Sequence, residues 1–231
     1  MRFRPQPFVE SLSKIEIPDN SAGTLLNPYF EPVDVDIDND MPARRRLYLE
    51  NHIARCEPTL ILVTDTLTYY GSRQTGVPLT SEWLVINNRI PRVPLTPKNL
   101  PPGGRLTNTD QPFNEPGASA IWQSLTLNNL ADRTICWPVL PLQPYRADTG
   151  HNRMPTKEEM ELGLRWLDML IQFSGQAEVI TIGSRVRDLF SKHKMPYRCA
   201  LKQPSRGGIT EYNQVFSEIA VERDLITEAT A

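Results

Sequence analysis

Three cysteines, three histidines, two glycine pairs and several arginine clusters are the residues whose types could do chemistry, and their spacing excludes more than it admits. Cys56, Cys136 and Cys199 lie far apart and form no C-x-x-C pair, so neither a zinc site nor a dithiol redox centre is expected. His52, His151 and His193 fall in separate segments without metal-ligand spacing, which leaves them surface or helix-end roles. The glycine pairs beginning at Gly103 and Gly207 lack the lysine and the spacing of a phosphate loop. No metal and no cofactor is therefore expected. Asp65 stands apart because it ends the apolar run TLILVTD, Thr59 to Asp65. In α/β folds the loops at strand C-terminal ends carry function, although an aspartate that merely caps a turn after a strand is also ordinary.

The elements that must position such residues follow from pattern and composition. With 231 residues and 39% hydrophobic content, the chain is sized for one domain with a proper core. No apolar run approaches the ~20 residues of a membrane span, and the start MRFRPQPFVE lacks the apolar core of a secretory signal. A soluble, cytoplasmic monomer with reduced thiols is expected. The net charge of −2 means that any nucleic-acid contact must be local. Basic clusters at Arg44 to Arg46, along Arg185 to Lys194 and around Lys202 and Arg206 read, taken alone, as solvated faces.

Residues 1 to 41, with their prolines and the acidic run PVDVDIDND, read as an irregular N-terminal arm, and residues 42 to 231 as a single domain. A helix from Pro42 to about Cys56, with Leu47, Leu49, Ile53 and Ala54 inward and arginines opposite, precedes the strand at Thr59 to Asp65. Residues 84 to 117 hold seven prolines and are mostly loop, placed to shape a site rather than the core. A helix at Ser119 to Asn129 leads into a second strand, Thr134 to Leu140, which Pro138 should interrupt. Thr156 with Glu159 forms a capping box, and the stripe from Met160 to Phe173 marks the clearest helix of the chain. A strand at Ala177 to Gly183, a helix from Ser184 to about His193 and a short strand at Arg198 to Leu201 follow. The alternation predicts an α/β fold with a mainly parallel sheet covered on both faces.

Four segments carry a resemblance. Thr64 to Glu82, TDTLTYYGSRQTGVPLTSE, is similar to the pattern GEAPGYRGxxxTGxPFTSE. EPGASAIW at Glu115 to Trp122, WPVLPLQPY from Trp137 with NRMPTKEE after it, and QPSRGGITEY at Gln203 to Tyr212 follow in matching order. On these segments, spanning about Thr59 to Tyr212, the chain resembles the uracil-DNA glycosylase superfamily. The resemblance implies a three-layer α/β/α architecture, DNA as partner, and an enzyme that flips a base from the duplex and hydrolyses its N-glycosidic bond. That chemistry needs a carboxylate near a cationic sugar and a donor for the departing base, and no metal. Relatives with four cysteines carry an iron–sulfur cluster; three without the spacing predict none here.

By motif position, Asp65 is the implied catalytic carboxylate. Gln203 is the second implied catalytic residue, standing where the family has a histidine that donates to the leaving base; its amide donates a hydrogen bond but passes on no proton. Thr64, Thr66, Tyr69, Leu79 and Pro138 are the implied base pocket. Here Leu79 replaces a stacking phenylalanine, and Pro138 an asparagine that pairs with uracil. Thr80, Ser81, Ser119, Ser205, Arg206 and Gly207 are the implied DNA contacts, with Arg206 a wedge, a phosphate ligand or a plain loop arginine. Loss of the uracil-reading groups implies a different base, or a DNA-binding module without turnover.

Overall fold

Every residue of the two longest apolar strands except Asp65 is buried, which requires helices on both faces of the sheet that holds them. The computed structural model describes residues 4–19, 24–93, 95–96, 101–175, 177–204 and 208–225. In chain order the elements are α1 (Pro5–Leu12), β1 (Leu25–Leu26), α2 (Met41–Ala54), β2 (Leu60–Thr66), α3 (Ser72–Thr75), α4 (Glu82–Ile86) and α5 (Pro116–Leu127). They continue with β3 (Thr134–Leu140), β4 (Gln143–Pro144), α6 (Lys157–Ser174), β5 (Glu178–Ile182), α7 (Ser184–Lys192), β6 (Cys199–Leu201) and α8 (Ile209–Glu222).

The central sheet has the order β3-β2-β5-β6, and its neighbours pair in parallel. Side chains alternate across it as a period of two demands. Ile61, Val63, Ile135, Trp137 and Val139 pack with Phe8, Leu12, Trp166, Leu167 and Phe190 on one face. Leu60, Leu62, Cys136 and Ile180 meet Trp122, Leu125, Tyr212 and Phe216 on the other. The result is the expected three-layer α/β/α sandwich. Thr156 accepts from the Glu159 N–H while the Glu159 carboxylate accepts from the Thr156 N–H, so α6 begins where the capping box places it.

Three expectations change. Pro138 does not interrupt β3, because β3 is an edge strand and its missing N–H costs the sheet no required bond. The N-terminal 41 residues are not wholly irregular: α1 buries Phe8, Val9 and Leu12, and β1 pairs antiparallel with β4. Nor do Arg44 to Arg46 form a solvated face. Arg45 is fully buried, ion-paired with Asp36 and bonded to the Gln74 and Pro28 carbonyls, while Arg44 pairs with Asp38 and Arg46 donates to the Tyr29 carbonyl. Within the acidic run Asp36 is buried on Arg45 and Asp38 is held by Arg44, while Asp34 stays exposed although Arg73 bonds it at 2.9 Å. The run's charge made it look free, and its partners lie on other elements.

Candidate active site

Asp65 escapes burial because it reaches the C-terminal edge of the sheet, where it lines a cavity of about 420 Å³. This is the edge at which parallel α/β sheets present their loops. The loop after β2 supplies Thr66, Thr68, Tyr69 and Tyr70; the start of α5 supplies Glu115; the segment after β4 supplies Arg146 and Asn152 to Pro155; α7 supplies Arg185.

Both carboxylate oxygens of Asp65 are engaged. Arg185 donates from Nη2 to Oδ2 at 2.9 Å, and the Thr66 N–H donates to Oδ1 at 3.0 Å. Arg185 sits in the first turn of the helix that follows β5, the strand beside β2, so the sheet order itself brings the guanidinium over the carboxylate. The loop is pinned from the far side by Asn152, whose Oδ1 accepts from the Tyr69 N–H at 2.6 Å and whose Nδ2 donates to the Leu67 carbonyl at 2.8 Å.

Glu115 is the second acid in the wall. Its Oε2 accepts from the Thr68 hydroxyl at 2.8 Å, and burial pushes its carboxyl above the usual carboxylate range. Gly71 makes room for it: a Cβ on that residue would lie 1.9 Å from Glu115 Oε2 and 2.3 Å from the Thr80 carbonyl. The chain before Glu115 is held by Glu82, which accepts from the N–H groups of Leu106, Thr107 and Phe113 and from the Arg105 side chain at 2.9 to 3.1 Å. Burial opposes ionisation of Glu82, yet these bonds prevail and hold its carboxyl below the usual range.

An aromatic group forms the rim. The Tyr69 ring lies 5.0 Å from that of Tyr70, 6.0 Å from Phe113 and 4.5 Å from the His151 imidazole, while the Arg73 guanidinium covers it at 4.0 Å. Tyr70 is 51% exposed, a flat surface offered to solvent beside the acids. Arg146 stands exposed at the same opening.

Of the residues that the sequence singles out, Asp65, Thr66 and Tyr69 meet at the cavity. Thr64 and Pro138 do not; they face each other in the β2–β3 register and are buried within the sheet. Leu79 is partly buried and packs against the core with φ at +54°, its carbonyl accepting from Trp122 Nε1 at 2.8 Å. Gln203 lies over Gly183, at the ends of β5 and β6, along the edge but outside the wall. Thr80 and Ser81 are fully buried, so they are not surface contacts: Thr80 is bonded to Thr75 and the Val77 carbonyl, and Ser81 starts α4. Ser119 lies in the first turn of α5, outside the cavity wall, and bonds Asn114 at 3.3 Å. Ser205, Arg206 and Gly207 lie outside the described residues.

Glu115, Asn152, Arg146 and Arg185 were missed as site residues. Arg185 had a usable signal, since it follows a buried strand within three residues of its end. Glu115 and Asn152 sit inside segments that carry the resemblance and gave no individual sign. Among the described residues, no group of three or more His, Cys, Asp or Glu could hold a metal ion, and no helix is long and apolar enough to cross a membrane. Cys56 and Cys136 are buried free thiols, pushed by burial to about 11 and about 12.

No protein-family model matches the chain, and no curated protein is similar to it in sequence. Among solved structures it is similar to SMUG2 of Pedobacter heparinus, with a TM-score of 0.56 and 15% identity over 96% of this chain and 97% of that one. The likeness extends over nearly the whole of both chains and establishes the fold they share: an α/β/α sandwich around a parallel four-stranded central sheet.

Proposed function

We propose that the protein is a DNA glycosylase that hydrolyses the N-glycosidic bond of a modified base other than uracil and leaves an abasic site. The observation that carries this reading is Asp65, held at the C-terminal edge of a glycosylase-like sheet in a cavity rimmed by tyrosines. There a carboxylate orients water and stabilises a cationic sugar, and an exposed ring such as Tyr70 stacks on an extruded or neighbouring base. A volume of about 420 Å³ is within the range of sites that take whole small molecules. That room suits a hypermodified pyrimidine such as phage glucosylated hydroxymethylcytosine, and excision of such a base would serve antiviral defence. Arg146 is assigned to a backbone phosphate.

The test is base release from duplex and single-stranded DNA carrying uracil, hydroxymethylcytosine or glucosylated hydroxymethylcytosine, read as strand breaks after alkali. Release from the glucosylated DNA, lowered at least ~10²-fold by Asp65→Asn, is expected. No abasic sites on any of the three would overturn the assignment. The second reading, a catalytically inactive DNA-binding module of the same fold, draws support from the Arg185 bond, which occupies an Asp65 oxygen that water would use. It predicts DNA binding without base release.

A further inference from the structure

We propose that Glu115 is the general acid of this site and selects for bases with a basic ring nitrogen, the 4-aminopyrimidines. The inference rests on the glycosylase reading above. Gln203 carries no transferable proton and lies outside the cavity wall. Glu115 lies within that wall, together with Asp65.

The two carboxyl groups have opposite surroundings. Asp65 is one half of an ion pair with Arg185. Among the described residues, Glu115 has no cation on it and one hydrogen-bond partner for its carboxyl, the Thr68 hydroxyl. Thr68 and Gly71 fix Oε2 from below, which leaves Oε1 for a ligand. Burial raises the carboxyl of Glu115 and favours the protonated form, a group with one donor and one acceptor. A buried carboxyl without a cation beside one paired to an arginine offers a proton donor next to a carboxylate.

The carboxyl O–H of Glu115 gives its proton to the ring nitrogen N3 of the flipped base. The bond from sugar C1′ to N1 breaks, its electron pair stays on N1, and the base departs neutral. Water adds to C1′ and its proton passes to the Asp65 carboxylate; Asp65 then releases a proton to solvent and Glu115 takes one up. A 4-aminopyrimidine offers N3 as acceptor for a proton carried on Glu115 Oε1. Uracil offers an N3–H, which cannot take the proton, so discrimination follows from the proton transfer itself.

The charged and titratable groups around the cavity are Asp65 with Arg185, Arg153 with Glu159, Arg146, Tyr69 and Tyr70, with His151 packed on both tyrosines. The experiment is single-turnover release of glucosylated hydroxymethylcytosine from DNA between pH 5 and 9, by the unmodified protein, Glu115→Gln and His151→Phe. The expected result is a rate that falls as pH rises in the unmodified protein and in His151→Phe. Glu115→Gln should be ~10²-fold slower and lose that limb, with its thermal unfolding unchanged. A rate independent of pH in the unmodified protein overturns the proposal even if the glutamine variant fails to fold. So does a limb that persists in Glu115→Gln, or one that vanishes in His151→Phe. These failures leave glycosylase activity standing, whereas absence of release from every DNA removes the reading of the whole site.

Discussion

Gly71 decides where Glu115 can sit. A methyl group on it would overlap Glu115 Oε2, the Thr80 carbonyl and Thr68 Oγ1 at once, and the carbonyl is backbone that cannot swing aside. Gly71→Ala should therefore displace the Glu115 carboxyl and cost about 1–3 kcal/mol of overpacking. Base release should fall by roughly 10²-fold, as expected for an ångström-scale displacement of a reacting group. Unchanged single-turnover release would show that the position of Glu115 does not matter. At this scale the sequence made Asp65 legible, because an acid at the end of a buried run marks the edge of a parallel sheet. Glu115 was not legible as an acid, since its environment is made by Thr68 and Gly71, more than forty positions away in the chain. Motif position puts Leu79 and Pro138 in the base pocket and Gln203 at the leaving base; in the structure Leu79 packs against the core, Pro138 pairs within the sheet and Gln203 covers Gly183.

Elements were read more successfully than their surroundings, for a physical reason. Periodicity and capping are local, so β2, β3, β5, α6 and α7 could be placed within a few residues, whereas the fate of a polar side chain depends on partners from elsewhere. Arg45 is the clearest case. It lies on a helix face that looks solvated, yet it is fully buried against Asp36 in the preceding irregular segment. Removing one member of a buried pair strands the other charge. Arg45→Met should lower stability by about 3–5 kcal/mol, and Arg45→Met with Asp36→Leu should recover much of it. Chemical denaturation of the two single variants and the double variant measures the coupling; additive losses would mean that the pair does not act as a unit. Glu82 likewise has distant partners, tying the 105–113 segment to α4 through four residues. Glu82→Gln should cost about 2–3 kcal/mol by weakening bonds to a charged acceptor. It should also raise amide exchange at Leu106, Thr107 and Phe113, the observable that separates a loosened loop from general destabilisation.

For the whole molecule, the buried histidine sets a pH boundary. His52 is fully buried between α2 and the sheet; its Nε2 faces the Cys136 N–H at 3.1 Å and its Nδ1 faces the Arg92 guanidinium at 3.3 Å. Arg92 is itself buried and donates to the carbonyls of His52, Ala131 and Thr134, tying α2 to the start of β3. Burial first, and the Arg92 charge second, hold the His52 imidazole well below its usual 6.5. In the unfolded chain the imidazole takes a proton as pH falls below about 6.5, while in the folded chain it stays neutral. The unfolded state then binds more protons, so this stability is present above pH ~6.5 and declines below it by up to about 1.4 kcal/mol per pH unit. Glu115 acts in the opposite sense, because its raised carboxyl binds a proton in the folded state before the unfolded chain does. Glu82 adds to the loss only once pH falls below the usual glutamate value of about 4.5. Denaturant unfolding at pH 7.5, 6.5 and 5.5 in the unmodified protein and in His52→Gln isolates the histidine, since glutamine can still accept from the Cys136 N–H. The expected outcome is a decline in stability between pH 6.5 and 5.5 that is shallower in the variant; identical slopes would assign the acid sensitivity to other groups.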